Sequence, residues 1–244
     1  MYGKRPIVCS IAGFDPCGGA GVLADIKTFE QLHVQGMAVV TGYTVQTEEE
    51  CLRVDWRPLD AILAELDTLL QRYDMAAVKI GAVPDAGFLQ AVVRHIKQQQ
   101  HHTQIVWDPV LRSSSGLVFF NMETLPRLAR VLPDIDLITP NFPEYEFLTE
   151  HLDLKDTAVL VKGGHRPGLK GVDTLCYGQL EVQIAPETDG PVAGKHGSGC
   201  VLSSAIASHL AHGETMGDAC KKGKKYIENY LKSSPTLMGI HHGR

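Results

Sequence analysis

The chain has 244 residues, 44% hydrophobic and 21% charged, the composition of an ordinary soluble globular protein with enough apolar surface for one large α/β core. A net charge of -5 and a pI near 6.1 provide no basic excess for neutralising phosphates in bulk, which excludes nucleic acid as the main partner. No apolar run approaches membrane-spanning length, so no membrane partner is expected.

Six dispersed cysteines (Cys9, Cys17, Cys51, Cys176, Cys200, Cys220) with no C-x-x-C pair fit reduced thiols in a cytoplasmic protein. In chain order, "PIVCSIAG" reads as a first strand and "GVLADIKTFEQLHV" as the helix after it. "MAVVTGYTVQ" is the second strand, and "LDAILAELDTLLQRY" the next helix. The pattern repeats through "AAVKIGA", "AGFLQAVVRHIKQQQ", "QIVWDPV", the helix "METLPRLARVLP", "DLITPN", "PEYEFLTEHL" and "AVLVKGG". Strand-helix alternation predicts parallel crossovers and a sheet covered on both faces. "VDTLCYGQLEVQIAP" breaks the pattern and predicts an edge hairpin around a Gly-Gln turn. A helix from Cys200 to Leu210 follows, and the lysines of "KKGKKYIENYLK" read as the solvated face of a late helix. No linker or repeat divides residues 1–244, which are expected to form one domain.

Polar and glycine-rich sequence gathers at the strand ends, where open α/β sheets bind ligands. "AGFDPCGGAGVLADIKTF" has the spacing of neither a dinucleotide fingerprint nor a P-loop, yet its glycines allow a ligand against the backbone. Asp25, one turn into the helix, is placed to accept from a hydroxyl or an amine. Gln46 offers an amide donor and acceptor side by side, a match for an aminopyrimidine edge. Asp108 and Glu144 are hard oxygen ligands suited to magnesium, although Asp-Pro and Pro-Asn are also common turn formers. Lys162, before two glycines, reads either as a phosphate-binding point charge or as a surface lysine before a turn. The His101–His102 and His241–His242 pairs lack further ligands at metal-binding spacing.

"HGSGC" is the strongest local signal. Backbone N–H groups of Gly197, Ser198, Gly199 and Cys200 at a helix start would form an anion hole for a transferring phosphoryl group. Acyl transfer through Cys200, with His196 as base, is the rival chemistry, but no orienting third residue is evident.

Together, "GFDPCGGAG", "ADIKTF", "DPV", "TPNFPEYE", "VKGGH" and "HGSGC" resemble, in order and approximate spacing, the ribokinase-like kinases. Within that group the chain is most similar to the hydroxymethylpyrimidine/phosphomethylpyrimidine kinases of thiamine biosynthesis. The resemblance implies a three-layer α/β/α fold with a mostly parallel central sheet, a homodimer, and ATP and Mg2+ as cofactors, with a monovalent cation such as K+ as a further candidate. It implies phosphoryl transfer to 4-amino-5-hydroxymethyl-2-methylpyrimidine and then to its monophosphate. Position by position, Asp25, Gln46 and Val110 match the pyrimidine pocket, and Gly13 and Ala20 match backbone contacts of the first loop. Asp108, Asn141, Glu144 and Lys162 match positions serving magnesium and the nucleotide phosphates, with Asp108 and Glu144 at the metal. Gly197 to Gly199 match the anion hole and Cys200 the catalytic base. A helix N-terminus lowers a thiol from its ordinary ~8.5, so Cys200 is expected to accept a proton at neutral pH.

Four departures stand out: Cys17 where serine is usual, Ala82 where a methionine often packs on the pyrimidine, "RSSSG" without the usual lysine, and a short segment before "AVLVKGG". The ending "MGIHHGR" is also shorter than usual. Pyridoxal kinases share the glycine loop and the cysteine, which makes a vitamin B6 kinase the nearest alternative. Gln46 and Lys162 favour the pyrimidine kinases. A non-catalytic vitamer-binding protein and a cysteine acyltransferase or hydrolase are the readings from other classes.

Overall fold

The computed structural model describes residues 5–166, 168–187 and 194–242. Strand β1 (Ile7–Phe14) is buried along nearly its whole length, as a central strand covered on both faces must be. Its alternate side chains enter different cores. Cys9 and Ile11 join Ile62, Leu66, Leu89 and Val92 of helices α2 (Leu59–Arg72) and α3 (Ala86–Gln99). Val8 joins Ala24 and Phe29 of α1 (Gly21–Gln31), Val201 and Ile206 of α5 (Ser198–Ala211), and Ile227 of α6 (Met216–Lys232).

The remaining strands are β2 (Gln35–Gln46), β3 (Cys51–Trp56), β4 (Ala77–Ile80), β5 (Gln104–Trp107), β6 (Leu137–Ile138), β7 (Val159–Val161), β8 (Asp173–Tyr177) and β9 (Leu180–Ile184). Their order across the sheet is β3-β2-β1-β4-β5-β6-β7-β8-β9. The six strands from β2 to β7 are parallel, and β3, β8 and β9 add antiparallel pairings. The chain leaves β1 for β2 on one side and returns to β4 on the other. That reversal opens a crevice beyond the carboxyl ends of the central strands. The expected three-layer fold with an edge hairpin is the fold observed, the hairpin turning at Gly178 with φ 58°.

Three local expectations are corrected. Residues 122–130 form 3-10 turns instead of an α-helix, because Pro126 lies inside the segment and lacks the N–H that an α-helical ladder needs. A second hairpin, β2–β3, closes the opposite edge of the sheet. Its turn carries no glycine; the Thr47 N–H donates to the Glu50 carbonyl (2.9 Å), so no strong turn signal marks it. In α6, Lys221, Lys222 and Lys225 are exposed as expected, but Lys224 is buried and pairs with Asp173 Oδ2 at 3.1 Å. The short segment 152–158 makes turns and no helix before β7.

Candidate active site

One cleft of about 970 Å3 lies over the carboxyl ends of the parallel strands. Gly13, Ala20, Gln46, Asp108, Val110, Asn141, Glu144, Lys162, Gly197, Ser198, Gly199 and Cys200 all line it. These residues come from five strand ends and the start of α5, so the sheet collects them from almost the whole chain.

Asp15, just past β1, organises the first loop. Its buried carboxylate accepts from the N–H groups of Cys17 (3.0 Å), Gly19 (3.0 Å) and Ala20 (2.8 Å), and from the Cys17 thiol (3.0 Å). His196 Nε2 lies 2.9 Å from Asp15 Oδ2. Burial pushes the Asp15 carboxyl upward, but the hydrogen bonds from His196, Cys17 and Ala20 outweigh it and hold the group below the usual carboxylate range. The second glycine turn packs directly on this loop. Gly197 has φ 68°, and a Cβ there would lie 1.9 Å from the Gly19 carbonyl oxygen, so only glycine fits.

Gly197 precedes α5, which has no side-chain cap. The Ser198 N–H donates to the Lys195 carbonyl at 3.3 Å, so the first-turn N–H groups of Gly199 and Cys200 are the ones placed to meet an anion at this uncapped helix start. Lys162 Nζ donates to Asp108 Oδ1 at 2.7 Å. Asp108 is itself buried and accepts from Thr139 Oγ1 at 3.2 Å. A Cβ on Gly199 would meet Lys162 Nζ at 3.1 Å and Asp108 Oδ2 at 3.4 Å, so cation, carboxylate and helix start converge on one point.

On the neighbouring strand end, Asn141 caps α4 (Phe142–His151) in a reciprocal box with Glu144, both bonds 2.8 Å. Burial pushes the Glu144 carboxyl up to about 7; Lys162 opposes the rise and Asp108 adds to it. Asp108 and Glu144 thus offer a cation two carboxylates in a partly desolvated corner. This hard-oxygen donor set fits Mg2+, which keeps waters and uses one or two carboxylates beside substrate phosphates.

Two expectations change. Asp25 is fully buried and does not form part of the cleft wall. Its carboxylate accepts from Ser10 Oγ (2.5 Å), Ser204 Oγ (2.7 Å) and Lys79 Nζ (2.8 and 2.9 Å), so protein donors occupy the place assigned to a substrate hydroxyl or amine. The Cys200 thiol is also pushed up, not down. Burial is the main cause and Asp25 and Asp108 reinforce it, while Lys79 and the Gly21 N–H oppose it without reversing the balance. The acyl-transfer arrangement also lacks its contact between nucleophile and base: His196 Nε2 pairs with Asp15, and among the described residues no hydrogen bond links His196 to the Cys200 thiol.

Residues 15–243 match the family model described as phosphomethylpyrimidine kinase. The chain belongs to the phosphomethylpyrimidine kinase family. It is 36% identical over 250 residues to the hydroxymethylpyrimidine/phosphomethylpyrimidine kinase of Aquifex aeolicus (strain VF5), covering 95% of this chain and 96% of that one. Among solved structures, phosphomethylpyrimidine kinase from Clostridium difficile 630 is 30% identical with a TM-score of 0.77, covering 93% of this chain and 100% of that one. The ADP complex of Bacillus subtilis pyridoxal kinase is 26% identical with a TM-score of 0.82, covering 98% and 97%. The kinase therefore has the ribokinase-like fold that the sequence motifs implied.

Sequence reasoning missed the buried support of this kinase site. Lys79 lies in the middle of an otherwise apolar strand, fully buried, and its only available signal was that a charge in such a run must find a partner. Asp15 stood in the quoted motif without a role. Ser203 and Ser204, on the inner face of α5, reach Asp108 (3.4 Å) and Asp25 respectively, and nothing local in the sequence distinguishes them from helix-lining serines.

Proposed function

We propose that this kinase transfers the γ-phosphoryl group of ATP to the hydroxymethyl group of 4-amino-5-hydroxymethyl-2-methylpyrimidine, and then phosphorylates the monophosphate, in thiamine diphosphate biosynthesis. The observation that carries the reading is the convergence of Lys162, Asp108 and Gly199 at the start of an uncapped helix, with Gln46 on the same cleft. Full-length relatives named for this activity support the substrate class.

In this reading Gln46, Val110 and the backbone at Gly13 and Ala20 hold the pyrimidine. Gln46 presents both an acceptor and a donor to the ring's amino-substituted edge. The N–H groups of Gly199 and Cys200 and the Lys162 ammonium meet the negative charge of the phosphoryl oxygens. Asp108 and Glu144 would hold Mg2+, which supplies charge neutralisation when bound. Asn141 fixes Glu144 through the capping box and stands beside the nucleotide phosphates. Cys200 takes the hydroxymethyl proton. Its raised thiol makes this transfer depend on charge already present at the site, with Lys79 favouring the thiolate. Asp25 acts beneath the site, holding Lys79 against the underside of α5 through Ser204.

A vitamin B6 kinase is the second reading. Ala82 leaves space on the cleft wall, and a pyridoxal kinase is among the solved structures similar over nearly the whole chain. ADP formation with the two pyrimidines and with pyridoxal, pyridoxine and pyridoxamine, in Mg2+ with and without K+, separates the readings. Preference for the pyrimidines is expected; a strong preference for pyridoxine overturns the assignment. Sedimentation of the same preparation tests the expected homodimer.

A further inference from the structure

Asp15, Cys17 and His196 bring an oxygen, a sulfur and a nitrogen within 4.8 Å of one another, the one such trio among the described residues. Cys17 Sγ is 3.0 Å from Asp15 Oδ1, and His196 Nε2 is 2.9 Å from Asp15 Oδ2. Zinc bonds of about 2.0–2.3 Å place tetrahedral ligand pairs roughly 3.3–3.6 Å apart, near the 3.2 and 2.9 Å that separate Asp15 Oδ2 from the thiol and the imidazole, while all three ligand atoms lie within 4.8 Å of one another. The supporting bonds are already made. Backbone N–H groups of Cys17, Gly19 and Ala20 hold the Asp15 carboxylate in place, as outer partners do in metal sites. Asp15 and His196 both line the cleft, which leaves a fourth position open to water from that side.

We propose that Asp15, Cys17 and His196 form a binding site for a thiophilic divalent cation, of which Zn2+ is the chemical match, joining the loop after β1 to the turn before α5. The thiolate and imidazole select a borderline-soft ion over Mg2+, so this site is distinct from the carboxylate pair Asp108–Glu144. On binding, the Cys17 thiol proton leaves to solvent and a sulfur–metal bond takes its place. His196 binds through Nε2, and the proton that this nitrogen now donates to Asp15 passes through solvent to Nδ1. Because His196 precedes Gly197, the ion would fix the glycine turn against the first loop.

The test is Co2+ and Zn2+ titration of the whole protein, read by absorbance and by competition with a chelating dye, with no substrate present. One equivalent of Co2+ is expected to give a thiolate-to-metal charge-transfer band that Zn2+ abolishes. Cys17→Ser keeps a hydroxyl donor for Asp15, and should lose the band and weaken Zn2+ binding at least ~10-fold. His196→Asn should weaken it similarly, whereas Cys200→Ser should leave it unchanged. No binding by the unsubstituted protein, a band that survives Cys17→Ser, or a band lost only in Cys200→Ser overturns the site. The readout is binding alone, so it stands or falls separately from the kinase assignment.

Discussion

Lys162 and Asp108 meet at 2.7 Å on the floor of the cleft, and the Gly199 α-carbon faces both. The ammonium is pushed up by Asp108 and Glu144 despite burial, so it stays a full positive charge where phosphate oxygens would arrive.

Gly199→Ala should therefore fold normally but lose activity. The new methyl group would press on Lys162 Nζ at 3.1 Å and Asp108 Oδ2 at 3.4 Å, displacing the cation from the helix start. A fall of about a hundredfold in kcat is expected, the size typical of losing one oriented charge-stabilising donor. Steady-state kinetics beside circular dichroism checks this; a variant with normal kcat means that the cation does its work elsewhere.

The Cys200 thiol, raised by burial, gives a signed pH dependence. If the thiolate is the base, turnover must climb as pH rises past neutrality, because the protonated form dominates below the raised value. Cys200→Ser should cut kcat by about 10²–10⁴-fold, leave pyrimidine binding nearly intact, and remove the alkaline climb. A pH–rate profile that keeps the climb in the variant takes Cys200 out of the base role.

Removing the cation beneath the site should be costly. Lys79→Met leaves the Asp25 carboxylate buried with only two serine donors, and a loss of about 3–5 kcal/mol in unfolding free energy is expected. Pairing it with Asp25→Asn should recover a large part. Urea denaturation of the single and double variants decides it, and equal losses in both would mean that the pair contributes packing rather than charge balance.

His241 packs on Tyr230 with ring centroids 4.7 Å apart and lies 3.1 Å from the Tyr226 hydroxyl. Burial first, then the nearby Lys27 and His242 charges, lower its imidazole to about 4. The unfolded chain binds a proton at this residue near its ordinary 6.5, before the folded chain does. Stability linked to it is complete above that value and falls as pH drops from there towards about 4. His241→Phe should flatten this acid slope, by on the order of 1–3 kcal/mol at pH ~4. Thermal unfolding across the window measures it; an unchanged slope would place the acid sensitivity on other groups.

The parallel strands and the glycine turns were legible because each is a local signal: β-branched runs, and glycines spaced for a turn ahead of an apolar helix. Asp108, Glu144 and Lys162 were legible because strand ends in such sheets converge by rule. Asp25 was misplaced for a physical reason. Sequence puts it one turn into α1, but whether that turn faces the crevice or the interior depends on Lys79, Ser10 and Ser204, which arrive from two other strands and a distant helix. The β2–β3 hairpin escaped because a single backbone bond closes its acidic turn. The Cys200 thiol direction escaped because burial is a property of the assembled layers.

The contacts Asp15–His196, Gly19–Gly197 and Asp25–Ser204 stitch the opening segment of the chain to its last third. During synthesis, β1, β4 and β5 leave the ribosome well before α5, which covers the Val8 side of that sheet. The nascent chain must therefore carry this apolar face covered by α1 alone until α5 emerges, with the contact between the two glycine turns not yet made. The cleft can be completed only after α5 is made, because Gly199 and Cys200 lie in that helix. A ribosome stalled before this helix would hold a chain that displays its core to chaperones and has no phosphoryl site at all.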